Sequence, residues 1–146
     1  MGEGGHFIDT LSWWVGSLPD EVYAVSGPGK DDVQVSLRFE NGATGVITYA
    51  TNGNVRFPKE TFDAAAGGRT ARLDNFRKAM VWTGRGHRTT RARGGQDKGQ
   101  ANQLAQFVKA ARAGSAMPIA LNDLVAVTKA TIAVRASLSS RRPERI

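Results

Sequence analysis

A histidine and an aspartate lie three residues apart in the segment GEGGHFIDTLSWWVG, near the start of the chain. On a helix, this spacing places the His6 imidazole and the Asp9 carboxylate on one face. A neutral imidazole there can accept or donate a proton, or bind a substrate hydroxyl. The alternative is structural, with Asp9 capping the helix and His6 buried and hydrogen-bonded. Both interpretations predict that this segment is helical.

Two further side chains are candidates for binding a substrate. Trp13 shares the helical face of His6, so its indole could stack on a ligand, whereas packing in a core or an interface is the alternative. Lys59 begins a predicted strand after a proline in FPKETF. It either contacts a substrate or forms a charge pair with Glu60 at the strand edge.

The glycine-rich stretches do not match phosphate-binding loops. GEGGHF lacks the last glycine of G-x-G-x-x-G, and GPGKDD has Asp31 where a P-loop needs Ser or Thr. We interpret both as turns and expect no cofactor site in this chain. With no cysteine and only His6 and His87 as histidines, the chain also lacks the usual ligands of a zinc site.

Composition predicts one soluble domain over residues 1–146. Hydrophobic residues make up 40% and charged residues 23%, as in ordinary globular proteins. No apolar run approaches the roughly 20 residues of a membrane span, and no secretory leader is evident, so we expect no membrane association. The absence of cysteine is typical of a reducing compartment, and we expect a cytoplasmic protein.

The net charge of +7 raises the question of nucleic-acid binding. Single-strand binding surfaces combine basic residues with exposed aromatic ones. Between Gly84 and Arg93 the only aromatic side chain is His87. We therefore predict a solvated basic hairpin and a frayed basic tail at Arg141–Arg145, without specific nucleic-acid binding. The alternative, a basic nucleic-acid binder, predicts steeply salt-dependent binding.

Apolar periodicity predicts a helix that Gly16 and Pro19 end, followed by strands. The first of these strands lies in DEVYAVSG. Asn41-Gly42 predicts a two-residue hairpin turn, which would pair Leu37 with Val46 and Val35 with Thr48. The helix would bury Phe7, Leu11, Trp14, Val15 and Leu18, and the open sheet face would carry Gln34, Ser36, Arg38, Ile47 and Tyr49.

Two more hairpins follow, one turning at Gly67-Gly68 and one near Gly84 to Gly86. The first pairs Phe62 with Leu73 and Asp63 with Arg72, which are sensible apolar and ionic pairs. Two helices complete the chain. One carries Leu104, Phe107, Val108 and Ala111 and ends at Gly114; the other runs from about Asn122, its expected N-cap, to Ser139 and carries Leu124, Val125, Thr128, Ile132 and Leu138.

This order predicts an α+β fold, with an N-terminal helix, about six or seven strands and two C-terminal helices. We expect a largely antiparallel, open-faced sheet with helices packed on one face. Strand–helix alternation, typical of doubly wound nucleotide folds, is absent.

GEGGHFIDTLSWWVG resembles the segment that opens the C-terminal domain of the Gfo/Idh/MocA family of NAD(P)-dependent oxidoreductases. The resemblance continues through DDVQVSLRFENGATGVITY and FPKETFDAAAGGRTARLDNF to the final helices, over roughly residues 3 to 140. It implies a substrate-binding domain whose open sheet face forms a homo-oligomer interface. It also implies NAD or NADP, held by an N-terminal Rossmann domain that is missing here, and a sugar-like or polyol substrate.

Within the resemblance, His6 matches the family histidine that contacts the reacting hydroxyl, and Asp9 matches the aspartate of His-x-x-Asp. Two positions depart from the family pattern. Gly2 stands where many members carry an aspartate, and Gln100 stands where many carry a histidine. These departures favour the second hypothesis below. The leading hypothesis is a substrate domain that is catalytically silent alone, because the site of the cofactor that carries the hydride is missing. The second is a stand-alone ligand-binding or scaffolding module of the same fold.

Overall fold

The computed structural model describes residues 4–29 and 31–146. The chain forms two compact units. We call Met1–Asn52 with Ala116–Ile146 the helix–sheet unit and Gly53–Ser115 the hairpin unit.

The three helices are α1 (Gly4–Val15), α2 (Gln100–Ala113) and α3 (Leu121–Ser140). The strands are β1 (Pro19–Ser26), β2 (Val33–Phe39), β3 (Thr44–Tyr49), β4 (Thr61–Ala66), β5 (Arg69–Asp74), β6 (Lys78–Thr83), β7 (Gly86–Arg91) and β8 (Glu144–Arg145). Two antiparallel sheets result, with strand orders β3-β2-β1-β8 and β4-β5-β6-β7. The predicted α+β class, with one N-terminal and two later helices, is confirmed.

The core of the helix–sheet unit lies between its sheet and the helices α1 and α3. Strand β2 shows the alternation expected of a sheet with one covered face, because its odd-numbered residues are buried and its even-numbered residues are exposed. The fully buried side chains include Phe39, Ile8, Val22, Val35 and Val134.

The β2–β3 loop is one residue longer than Asn41-Gly42 predicts. The Gly42 N–H donates to the Phe39 carbonyl at 2.8 Å and the Phe39 N–H donates to the Ala43 carbonyl at 2.9 Å, so the loop has three residues. Gly42 has φ 83°, the left-handed conformation that such loops need at their last position. The predicted register is therefore wrong by one residue, and Leu37 pairs with Gly45.

This shift moves β3 side chains from one face to the other, because side chains alternate along a strand. Ile47 now pairs with Val35 and lies in the core. The Tyr49 ring lies 6.1 Å from the Phe7 ring. The prediction that Ile47 and Tyr49 lie on the open face is therefore wrong.

Helix α1 packs part of its predicted stripe, Phe7, Leu11 and Val15, half-buried against the core. Gly4, Ile8 and Ser12 are buried, whereas Trp14 is 50% exposed, so its predicted core position is wrong. A small residue lets α1 approach α3 closely, since a Cβ added at Gly5 would lie 3.6 Å from Thr131 Oγ1.

Both predicted pairings of the hairpin unit are confirmed. Phe62 pairs with Leu73 and Asp63 with Arg72. Strands β6 and β7 are joined at Gly84-Arg85. Helix α2 ends as predicted, at Gly114 in the left-handed conformation (φ 60°).

Helix α3 starts earlier than predicted and buries small residues. Ala120 is the N-cap, so the assignment of Asn122 to that position is wrong. The large apolar residues expected to pack are largely exposed, as Ile132 is at 62%. The buried side chains are instead Ala130, Ala133, Val134 and Ser137.

The C-terminal tail is not frayed. Strand β8 pairs with β1, placing Arg145 opposite Glu21 and Glu144 opposite Val22. The Ile146 N–H then donates to the Asp20 carbonyl at 3.1 Å.

Ser137 connects α3, β1 and this tail. Its buried hydroxyl accepts the Ala24 N–H at 2.9 Å and donates to the Arg142 carbonyl at 2.6 Å. The pairing with β8 ends opposite Val22, so the Ser137 hydroxyl supplies the partner that Ala24 would otherwise lack.

We expect Ser137→Ala to lower the free energy of unfolding by about 1–3 kcal/mol, because backbone groups in the interior lose their hydrogen-bond partner. Urea unfolding with an unchanged m value measures this. Ser139→Ala is the matched control. The Ser139 hydroxyl is exposed and donates to the Arg135 carbonyl of its own helix at 3.2 Å, so its loss should change stability by less than about 0.5 kcal/mol. Equal losses for the two variants would contradict the role of Ser137.

Candidate functional site

A cleft of about 440 Å³ lies in the helix–sheet unit, between α1 and the segment that leads into α3. This volume is within the range of small-molecule sites. Its lining includes Asp9, Ser12, Trp13, Pro118, Ile119 and Asp123.

The structure brings two predicted residues, Asp9 and Trp13, together at this cleft. They are four residues apart on α1, so their side chains project from the same face. Asp9 is half-buried, whereas Trp13 is 77% exposed. A carboxylate can accept hydrogen bonds from ligand hydroxyls, and an exposed indole offers an apolar surface for stacking.

Asp123 is the cleft residue that the sequence interpretation missed. It lies in the first turn of α3, where the helix dipole favours a carboxylate. An aspartate in this position is a sequence signal for the start of a helix. Only the packing of α3 beside α1 shows that Asp123 shares a cleft with Asp9.

His6 lies one turn before Asp9 on α1, and its side chain is exposed rather than buried. Its backbone carbonyl accepts the Thr10 hydroxyl at 2.8 Å. Asp9 lies in the second turn of α1, too far along to cap the helix. The alternative of a buried histidine and a capping aspartate is therefore wrong, while His6 itself does not line the cleft.

Lys59 is exposed in the hairpin unit, just before β4. The neighbouring Glu60 carboxylate contacts the ammonium group of Lys98, so the predicted Lys59–Glu60 charge pair is not formed. Asp9 and Trp13 belong to the helix–sheet unit. The lining of the cleft thus includes Asp9 and Trp13 but neither His6 nor Lys59.

No protein-family model matches the chain, and no curated protein matches it. Solved structures do match. An NAD-binding oxidoreductase from Klebsiella pneumoniae shares 18% identity at a TM-score of 0.81, over 98% of this chain and 49% of that one. An oxidoreductase from Agrobacterium radiobacter, in complex with NAD+, L-tartaric acid and magnesium, shares 17% identity at a TM-score of 0.79. The match covers 97% of this chain and 47% of that one. A UDP-N-acetylglucosamine 3-dehydrogenase from Acidithiobacillus ferrooxidans shares 18% identity at a TM-score of 0.77. The match covers 94% of this chain and 46% of that one.

All three of these neighbours are oxidoreductases or dehydrogenases. At this level of identity the likeness shows a common fold. The chain spans about half the length of each of these proteins. The predicted resemblance to the C-terminal domain of Gfo/Idh/MocA oxidoreductases is thus confirmed at the level of the fold.

The residues described do not fit a dinucleotide. Within residues 4–29 and 31–146 every strand pairing is antiparallel, so these residues lack the parallel strand–helix–strand unit that carries a dinucleotide. The turn containing Gly27 and Gly29 closes on the Asp32 carboxylate, which accepts the Gly29 N–H at 3.1 Å. A carboxylate there would repel a phosphate.

Residues 4–29 and 31–146 also lack two other features. No group of three or more His, Cys, Asp or Glu side chains there could hold a metal ion. None of the helices in the described residues is sufficiently long and apolar to span a bilayer.

Two carboxylates outside the cleft have structural roles. The Arg38 guanidinium bonds both oxygens of Asp20, at 2.9 and 3.1 Å, and lowers the pKa of that carboxyl. The backbone N–H and the hydroxyl of Thr51 donate to Asp32 at 2.7 and 2.8 Å, and these bonds lower its pKa. Both carboxylates are held ionised, which makes them poor proton donors near neutral pH.

Asp32→Asn tests this assignment through its pH dependence. Because the folded-state pKa of Asp32 is lowered, the ionised carboxylate stabilises the fold above its unfolded pKa of about 3.9. That contribution is lost as the pH falls below this value towards the folded pKa. The Asn variant should therefore melt several degrees below the wild type at pH 7, and the difference should narrow at pH 3.

Thermal melts of both proteins at the two pH values measure this. Glu40→Gln, at an exposed position in the β2–β3 loop, is the control. Its melting temperature should match that of the wild type at both pH values. An Asp32→Asn difference that is the same at pH 7 and pH 3 would contradict the assignment.

Proposed function

We propose that residues 1–146 form the substrate-binding and oligomerisation domain of a Gfo/Idh/MocA-type oxidoreductase. The proposed substrate is a sugar-like molecule or polyol, oxidised or reduced with NAD(P). The cleft that Asp9, Trp13 and Asp123 share is the observation that carries this proposal. The likeness to oxidoreductases over at least 94% of the chain supports it.

The charge of the cleft favours a neutral, hydroxyl-rich ligand. Its lining includes the carboxylates Asp9 and Asp123, and no basic side chain of the described residues lines it. Carboxylates accept hydrogen bonds from hydroxyls but repel phosphate and carboxylate groups. In this arrangement Trp13 stacks on the C–H face of the ligand while the carboxylates bind its hydroxyls.

His6 is proposed to bind the reacting hydroxyl and to take or return its proton. An exposed imidazole one turn from Asp9 suits a group that acts at the edge of the substrate site. Lys59 is proposed as a further substrate contact on the basis of its exposed ammonium group.

Nicotinamide dinucleotide, when bound in such an enzyme, supplies the hydride chemistry. The residues described here do not fit it, so we assign this chain the substrate side only. Alone, the chain should give no NAD(P) reduction with any polyol. We further propose a cytoplasmic location and a homo-oligomer formed through the open sheet face, where Tyr23 and Val46 are exposed.

A stand-alone ligand-binding module is the second candidate. The cleft supports it as well, because binding a ligand there requires no dinucleotide. Both candidates use the same cleft for the ligand.

Ligand binding to the full chain tests the cleft. Neutral ligands such as inositol and glucose should bind, and glucose 6-phosphate and gluconate should bind at least tenfold more weakly. Asp9→Asn and Asp123→Asn should each weaken the binding of neutral ligands about tenfold, since each removes a charge-assisted hydrogen bond. Trp13→Ala should weaken it similarly. Isothermal titration measures all of these.

Two matched variants serve as controls. Asp97→Asn and Trp82→Ala, both in the hairpin unit, should leave the affinity unchanged. If none of the ligands binds, or if the three cleft variants bind as the wild type does, the assignment of the cleft is wrong.

A further inference from the structure

The excess positive charge of this protein is confined to one of its two units. The hairpin unit contains 13 basic and 4 acidic residues, a formal net charge of +9. The helix–sheet unit contains 7 basic and 9 acidic residues, a net charge of −2. The whole-chain value of +7 therefore understates how basic the hairpin unit is.

Most of the few carboxylates in the hairpin unit are already engaged. Asp63 and Asp74 both contact Arg72, at 3.4 and 3.3 Å. Glu60 contacts Lys98. These contacts use two of the 13 basic residues and three of the four acidic ones. An excess of this size on a small unit is the electrostatic signature of an anionic partner.

The strand register supplies an aromatic platform beside this charge. Trp82 lies directly opposite His87, their ring centroids are 6.4 Å apart, and the rings are stacked at 30°. The Trp82 side chain is 39% exposed. The basic stretch from Gly84 to Arg93 contains no tryptophan. Only the pairing of β6 with β7 places Trp82 next to it.

Basic side chains lie on the same sheet face as this pair. Lys78 pairs with Arg91 four residues along the strands, and side chains at even spacing share a face. The two pairs are about 14 Å apart at the usual rise per residue. Strand β7 is at the edge of its sheet, and the side chains of His87 and Arg91 are exposed. We call Lys78, Trp82, His87 and Arg91 the hairpin platform.

We propose that the hairpin platform binds single-stranded nucleic acid without sequence preference. A base stacks on the Trp82 indole, and Lys78 and Arg91 contact the phosphates that follow it. An exposed indole with basic residues on the same sheet face favours a single strand over a duplex, because the bases of a duplex are already stacked on one another.

Fluorescence anisotropy with a labelled 20-nucleotide oligo(dT) and the full chain tests this proposal. Trp82→Ala should weaken binding roughly 5- to 100-fold, and Trp82→Phe should restore most of the loss while keeping the hairpin packed. Replacing both Lys78 and Arg91 by alanine should reduce the slope of log K against log salt by about 1.4.

Matched variants in the helix–sheet unit separate the platform from general charge effects. Trp14→Ala, at another half-exposed tryptophan, and Arg135→Ala, at an exposed arginine, should leave the affinity and the salt slope unchanged. Circular dichroism verifies that each variant is folded.

Several results would overturn the proposal. These are the absence of oligo(dT) binding at 0.1 M salt, equal binding by the wild type and Trp82→Ala, and tighter binding of a duplex of mixed sequence. Tighter binding of anionic lipid vesicles, or self-association of the chain that the platform variants abolish, would assign the surface to another partner.

Discussion

The contact between α3 and its sheet depends on side chains that are small enough to let the helix approach. Ala130 and Ala133 bring the helix close to β1, and the Ser137 hydroxyl then reaches the Ala24 N–H. Helix α1 packs in turn against α3. The cleft between them exists only because this arrangement places the start of α3 beside the exposed face of α1.

The acidic residues of the helix–sheet unit divide into two functional groups. Asp20 is bound by Arg38, which joins β1 to β2, and Asp32 is bound by Thr51, which holds a turn in place. Asp9 and Asp123 instead line the cleft. A carboxylate whose oxygens are already hydrogen-bonded has little capacity left for a ligand, so position alone does not make an aspartate a binding residue.

In the hairpin unit, basic side chains outnumber acidic ones. Its few carboxylates are paired, and most of its basic side chains add to the unit's surface charge. The two units are thus proposed to bind chemically different partners, a neutral hydroxyl-rich molecule for one and a polyanion for the other. In both cases a tryptophan, Trp13 or Trp82, contributes an exposed ring beside the charged groups.

The sequence by itself determined the element order, the α+β class and the pairing of Phe62 with Leu73, because local periodicity and turn residues decide these features. It also determined that Asp9 and Trp13 share a helical face. It did not determine the β2–β3 register, since Asn41-Gly42 is compatible with loops of two and three residues, and one residue decides which face Ile47 takes.

Tertiary structure decided the features that need two distant segments to meet. The buried stripe of α1 centres on Ile8 rather than Trp14 because of where α3 lies. Asp123 joins Asp9 for the same reason, and β8 pairs with β1 although nothing in the tail sequence indicates a strand. Packing between elements is set by the shapes and volumes of both partners, and no local pattern in one of them contains that information.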